Sequence, residues 1–311
     1  MGTDYIFSSA FVRSHEKDLI KKEQFRAMIN SDNIDEVRNT VADALADDMF
    51  SEIKDMSKEF KGLDVLIYQN DYHNIKVLLK AEELGKDYSD ILIDKGTVPV
   101  DVMTDAVRNR SGIWISEYMH KAILESAEVL GRTKDPQLVD FVCDKYCFME
   151  INEIAEKTKN EFIKGYVRLS IDAINFKTYI RMKALGQSWT YFKDLFIPGG
   201  NVDDVVYSRV FDADAATFAS NFNGSLLYDA ITTGRENLEQ TGDYALLEKL
   251  CDDAIVEYIK EAKGISFGIE VLFAYLVAKQ MEIKNIRILM AGKIAGMDPG
   301  KIEERIRKTY E

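Results

Sequence analysis

The sequence predicts an all-α fold, on three observations. Long stretches carry apolar residues at mixed three- and four-residue steps, the period of a helix that buries one side. Four prolines in 311 residues leave long helices permitted almost everywhere. Strand-like alternation is short and scarce, and Ser89 to Val100 reads as irregular.

Taken in order, residues 36–60, 113–130, 137–159, 161–185 and 244–263 carry the helical period. The longest stretch, IEVLFAYLVAKQMEIKNIRILMAGKIA between Gly268 and Gly296, is one helix without proline. At ~1.5 Å per residue it reaches ~40 Å. Asp135-Pro136 and Asp298-Pro299 each place a capping carboxylate before a first-turn proline, where the missing N–H costs nothing. Loops are expected at 131–135, 197–203 and 232–243, none of them a long linker.

Composition narrows the function classes. Hydrophobic residues at 46% and charged residues at 30% fit a soluble globular chain. A formal charge of −13 without a dense Lys/Arg stretch speaks against nucleic acid as a partner. The opening MGTDYIFSSAFVRS lacks the basic-then-apolar pattern of a signal peptide. The apolar run Val271 to Ala278 falls well short of the ~20 residues a membrane span requires. Three cysteines without disulfide spacing point to a reducing, cytosolic compartment.

One pattern occurs three times. DYHNIKVLLKAEELG (71–85), DAINFKTYIRMKALG (172–186) and EIKNIRILMAGKIAG (282–296) share an acid, an Asn three later, a base two after that, and a Gly eleven after the Asn. The acids are Asp71, Asp172 and Glu282; the amides Asn74, Asn175 and Asn285; the bases Lys76, Lys177 and Arg287. Further matches accompany them. NTVAD (39–43), DFVCD (140–144) and EKLCD (248–252) precede the three Asn at similar distances, and Gly96, Gly200 and Gly300 each stand two before Val98, Val202 and Ile302. Three repeat domains, 1–110, 111–212 and 213–311, follow, in units longer than the usual ~20–50-residue solenoid repeats. Three copies suit a closed, pseudo-threefold arrangement. The acid and Asn share a helix face, and the base is turned ~200° away. These nine residues are candidates for either structural bridging, as single buried polar residues often provide, or contact with a partner.

Sharper chemistry is weighed against plainer readings. GMDPGKI (296–302) has one residue too few between its glycines for a phosphate-binding loop and no hydroxyl after the Lys, so it reads as a capped helix start. The acid pairs Asp47-Asp48, Asp203-Asp204 and Asp252-Asp253 miss the spacing of metal-binding aspartates in helical isoprenoid enzymes and read as solvated. Cys143 and Cys147 lie one turn apart and read as buried thiols; His15, His73 and His120 are isolated. Phe141, Tyr146, Phe148, Tyr166, Phe176, Tyr179 and Tyr191 read as helical core, with a wall gripping a partner helix as the alternative. No catalytic residue, metal ligand or cofactor site is assigned.

The segment EVLFAYLVAKQMEIKNIRILMAGKIAG with MDPGKIEERIRKTYE resembles the C-terminal end of the C subunit of the V/A-type (archaeal-type) ATPase/ATP synthase, a relative of the d subunit of the vacuolar ATPase. YIFSSAFVRSHEKDLIKKEQFRAMINSDNIDEVRNTV is similar to that family's opening, and the repeat extends the likeness over nearly the whole chain. The resemblance implies an all-helical funnel of three similar domains without a catalytic site. It implies a place on the cytoplasmic, peripheral face of the membrane. It also implies partners: the central-stalk subunits of D and F type, and the proteolipid ring, between which torque passes during proton or sodium transport. A helical-repeat adaptor for other proteins and a metal-dependent lyase-like enzyme remain the competing expectations.

Overall fold

The computed structural model describes residues 4–33, 37–38 and 62–311. Among these the regular structure is helical, with no strand. The chain divides into two compact units, Phe50–Phe211 and the discontinuous pair Met1–Met49 with Asp212–Glu311. The predicted helix 36–60, the match NTVAD and the pair Asp47-Asp48 lie outside the described residues, apart from 37–38.

In the discontinuous unit, α1 (Asp4–His15) and α2 (Lys22–Asn30) come from the amino-terminal stretch. They join α10 (Ala215–Ser220), α11 (Arg235–Thr241), α12 (Ala245–Ile259), α13 (Ile269–Ile294) and α14 (Pro299–Arg305). Helix α13 is the centre. Every residue from Val271 to Lys279 is buried, so this run is a core helix covered all round rather than a surface helix with one apolar stripe. Helices α1, α2, α12 and α14 pack on it. Phe25, Met28, Ile29, Ile286, Leu289, Ile302 and Ile306 form one cluster. Each such side chain contributes roughly 1.5–3 kcal/mol when fully buried.

The other unit holds α3 (Tyr68–Leu84), α4 (Val100–Asn109), α5 (Glu117–Thr133), α6 (Pro136–Thr158), α7 (Glu161–Ala184), α8 (Trp189–Leu195) and α9 (Asp204–Val210). Helices α5 and α6 form a closely packed pair, and α6 also packs on α3 and α7. Beyond α7, the Tyr179 ring sits among Phe192, Tyr207 and Phe211, with centroids 5.9, 5.8 and 5.5 Å away. Of the seven aromatics named from the sequence, Phe141, Phe148, Tyr166, Phe176 and Tyr179 are buried, as a helical core requires. Tyr146 and Tyr191 are partly exposed.

The caps fall where the sequence places them. Asp135 accepts the Gln137 N–H, and Asp298 accepts those of Gly300 and Lys301, so 296–302 is a capped helix start. Three segments differ. Helix α5 begins at Glu117 rather than 113, because Ser116 caps it by accepting the Met119 N–H. It then runs to Thr133, and only Lys134 (φ 57°) and the extended cap Asp135 separate it from α6, so 131–135 is mostly not loop. Residues 232–241 of the expected loop 232–243 are helical, and only 242–243 are not. A π-helical turn over Ala230–Gly234 continues into α11, and the chain turns only at Gly242 (φ 73°). Gly234 serves a close approach instead of a break: a methyl there would lie 3.0 Å from Leu247 Cα on α12.

Candidate functional site

The repeated pattern sits on α3, α7 and α13. Each helix ends at its glycine in the left-handed conformation: Gly85 (φ 60°), Gly186 (φ 64°) and Gly296 (φ 64°). The closing bonds match. Gly85, Gly186 and Gly296 donate to Glu82, Lys183 and Lys293; the next residues, Lys86, Gln187 and Met297, donate to Ala81, Met182 and Gly292. This is the paired-bond termination that a left-handed residue permits.

The three Asn side chains do one thing. Asn74 Nδ2 donates to the Ile93 carbonyl (2.7 Å), and its Oδ1 accepts the Ile93 N–H (2.8 Å). Asn175 makes the same pair with Ile197 (2.8 and 2.9 Å). Asn285 makes it with Arg307 (3.2 and 2.8 Å). A carboxamide carries one acceptor and one donor in the geometry of a peptide, so each clasp satisfies one residue's N–H and C=O as a strand neighbour would. Bridging therefore runs from helix to returning chain, not from helix to helix.

The acids hold the same returning chain in two copies. Asp71 accepts from the Thr97 N–H (2.9 Å), Thr97 Oγ1 (2.7 Å) and the Val98 N–H (3.0 Å). Asp172 accepts from the Asn201 N–H (3.1 Å), Asn201 Nδ2 (2.8 Å) and the Val202 N–H (3.1 Å). Gly96 and Gly200 lie directly over these carboxylates, and a methyl on either would overlap the Oδ1 atom. Burial raises the Asp172 carboxyl above its usual range, against the opposing pull of its three hydrogen bonds. In the third copy Glu282 instead accepts the Ile20 N–H (3.0 Å) and pairs with buried Lys279 (3.0 Å). Gly300 has no place in this clamp; it lies in the first turn of α14 beside its cap Asp298. The sequence match of Gly300 with Gly96 and Gly200 is thus one of spacing, not of structure.

The bases diverge. Lys76 is in an ion pair with Asp144 (2.6 Å), Lys177 is half-buried and Arg287 is exposed. The accompanying match is preserved in part. Cys143 and Cys251 are both buried, and the following acids are both ion-paired, Asp144 with Lys76 and Asp252 with Lys284 (2.6 Å) and Arg307 (2.8 Å). Asp252 and Asp253 are therefore not solvated. Both are buried, and Asp253 accepts the Lys308 N–H (2.6 Å). Asp203 caps α9 by accepting the Asp204 N–H.

Burial pushes the Cys143 thiol up to about 12, which keeps it an inert thiol at neutral pH. The His73 ring contacts the Ile91 carbonyl (3.2 Å), His120 contacts that of Arg110 (3.0 Å) and His15 that of Phe11 (2.9 Å). The groove of about 790 Å³ in the discontinuous unit is lined by charges that largely answer one another, such as Arg26 with Glu303 and Lys308 with Glu257. The clasp partners Ile93, Ile197 and Arg307 carry no signal in the sequence, because they take part through backbone.

What the repeated helix offers is therefore a mechanical clamp. The model of the ATP synthase (C/AC39) subunit family matches residues 41–305. The chain belongs to that family. Among curated relatives, the V-type sodium ATPase C subunit of Enterococcus hirae is 25% identical, covering 99% of both chains. The A-type ATP synthase C subunit of Desulfurococcus sp. is 26% identical over 91% of this chain and 78% of its own. The V-type ATP synthase C subunit of Thermus thermophilus is 23% identical over 79% and 74%. For a member of the C/AC39 family, an all-helical build agrees with the expectation drawn from the resemblance. Among the described residues no helix is long and apolar enough to cross a membrane.

Proposed function

We propose that this C/AC39 protein is a non-catalytic rotor socket of a V/A-type rotary ATPase, coupling the central stalk to the membrane proteolipid ring during proton or sodium transport. The observation that carries the reading is the family match over 41–305, joined by relatives named as C subunits along nearly the full chain. In this role the partners are the D- and F-type stalk subunits and the ring. The chain is peripheral to the membrane on its cytoplasmic face and works without a cofactor. The three Asn clasps support three related building blocks, 1–110, 111–212 and 213–311, each stiffened by a long helix tied to its returning chain. A torque-bearing part requires such stiffness, and packed helices with satisfied backbone provide it. Of the three bases, Lys177 and Arg287 are the stronger candidates for partner contact, since Lys76 is engaged by Asp144.

Affinity capture of the tagged chain from gently solubilised source membranes tests the proposal. The expected result is recovery of a proteolipid and a coiled-coil stalk protein in amounts comparable to the bait. Recovery of neither, from membranes shown to hold an intact rotary ATPase, would replace this reading with that of a helical adaptor.

A further inference from the structure

A pocket of about 330 Å³ opens beside Tyr310 in the discontinuous unit. Its walls come from the chain between Arg13 and Lys21, the 3₁₀ turn Lys260–Gly264, and the chain after α14. These stretches are tied together. Arg13 donates to the Ile265 carbonyl, and Glu311 Oε1 accepts the Lys22 N–H (2.6 Å). The size suits a small molecule oriented by a few polar groups. Two features point to what that molecule is. The first is Tyr310, which is only 6% exposed and yet has no hydrogen-bond partner for its hydroxyl. A buried hydroxyl left unpaired is costly, and native proteins leave few. The charges that act on this hydroxyl are those of Glu16 and Arg13, both on the pocket wall, so it is aimed into the pocket. Burial pushes the phenol up, which keeps it a neutral donor at physiological pH. The second feature is charge. Arg13, Lys17, Lys21 and Lys263 face Glu16 and Glu311, an excess of two positive charges in a chain of net charge −13. Lys263 Nζ lies over the Tyr310 ring (4.8 Å), and Lys17 and Lys21 make no ion pair among the described residues.

We propose that this pocket binds a phosphomonoester, with Tyr310 donating its hydroxyl to a phosphate oxygen and Arg13, Lys17, Lys21 and Lys263 balancing the charge. The inference stands apart from the rotor reading, because it adds a ligand and not a partner of the assembly. A phosphomonoester carries close to two negative charges at neutral pH and presents three strong acceptor oxygens. It therefore matches both the excess of positive charge and the unpaired donor, whereas a single carboxylate supplies one charge. Hydrogen bonds to such an ionised acceptor are among the strong ones. Glu16 repels a bare dianion, but its carboxylate accepts a hydroxyl from the carbon skeleton of an ester. A hydroxylated ester is thus favoured over inorganic phosphate. Soluble esters such as glycerol 3-phosphate and the lipid phosphatidic acid both present the phosphomonoester group.

The full chain is titrated with glycerol 3-phosphate by calorimetry and by phosphorus NMR line broadening, at about 0.15 M salt so that loose surface attraction is screened. Expected is saturable binding to one site with a Kd below about 1 mM, and weaker binding of inorganic phosphate. Tyr310→Phe removes only the hydroxyl. It is expected to weaken the affinity roughly tenfold, while melting of the unliganded chain stays unchanged or rises because an unpaired buried group is gone. Lys17→Gln changes an exposed side chain without an ion pair, and is expected to weaken the affinity several-fold with the fold intact. In a parallel arm the chain is sedimented with phosphatidylcholine vesicles that hold phosphatidic acid, or phosphatidylglycerol as the phosphodiester control. Sedimentation that needs both phosphatidic acid and Tyr310, without binding of glycerol 3-phosphate, upholds the site and assigns its phosphate to a lipid. No saturable binding to either probe overturns the site. So does an affinity that Tyr310→Phe leaves unaltered in a chain that melts normally; where that variant does not fold, Lys17→Gln decides in the same sense. None of these outcomes bears on the rotor reading, which the capture experiment tests.

Discussion

Asn175 spends both of its polar atoms on Ile197, and both residues are buried. Asn175→Ala leaves that N–H and C=O without partners, at ~1–3 kcal/mol for each. We expect a loss of about 2–4 kcal/mol by chemical denaturation, well beyond the roughly ±0.5 kcal/mol of an ordinary surface change. Glu150 carries a different kind of strain. It accepts the Tyr72 hydroxyl (2.8 Å) among buried groups, and burial raises its pKa above 4.5. A carboxyl raised in the folded state holds its proton more tightly there than in the unfolded chain. Its contribution is present below 4.5 and is lost as pH rises through the folded pKa. Glu150→Gln keeps an acceptor for Tyr72 and removes the charge. In thermal melts the variant is expected to lose less stability than the parent as pH rises above 4.5. At this scale the sequence was legible wherever a side chain recurs, as the three Asn do. It was silent wherever the partner is a peptide group, as at Ile93 and Ile197, and where burial alone changes an acid, as at Asp252 and Glu150.

Helices α7 and α13 were readable in advance because their lengths, apolar period and terminal glycines all point to the same bounds, whereas α3 was signalled only by its copy of the repeat. The π-helical turn at 230–234 was not, since Gly and Thr there signal a break in a one-dimensional reading. Only the approach of α12 shows that Gly234 serves packing. The same distinction separates the three glycines that match by spacing. Gly96 and Gly200 let a returning chain lie on a carboxylate of the helix below, whereas Gly300 occupies a first turn. Gly96→Ala and Gly200→Ala must push the chain off Asp71 or Asp172 and strain several hydrogen bonds at once. Each is expected to cost about 2 kcal/mol or more, the range of overpacking together with lost hydrogen bonds. Gly300→Ala gains helix propensity of about 1 kcal/mol and is expected to be neutral or stabilising. Urea midpoints for the three variants measure the difference. Equal destabilisation would restore Gly300 to the repeat.

On the scale of the whole molecule, the family was legible through the carboxyl-terminal helix and the opening segment, and the structure ties those two parts of the chain together in one unit. Glu282 on α13 accepts the Ile20 N–H, and Glu311 accepts that of Lys22. Lys293 donates to the Ile29 and Ser31 carbonyls. Val12, Ile20, Phe25, Met28 and Ile29 are all buried in this unit. Periodicity reveals that such residues face a core but not which distant helix supplies it, so the discontinuous unit could not be read from pattern alone. Its consequence is a sharp prediction for truncation. Removing residues 1–31 strips five large buried side chains and four backbone-to-side-chain ties from the carboxyl-terminal part of the unit, a loss of about 10 kcal/mol, comparable with the whole stability of a domain. The unit Phe50–Phe211 keeps its own core and its Asn74 and Asn175 clasps. Limited proteolysis of the truncated chain is expected to digest the carboxyl-terminal part from Asp212 onward and spare a fragment close to 50–211. Joint loss of both parts would mean that the two units fold as one, and joint survival would mean that the amino-terminal helices contribute far less than their burial indicates.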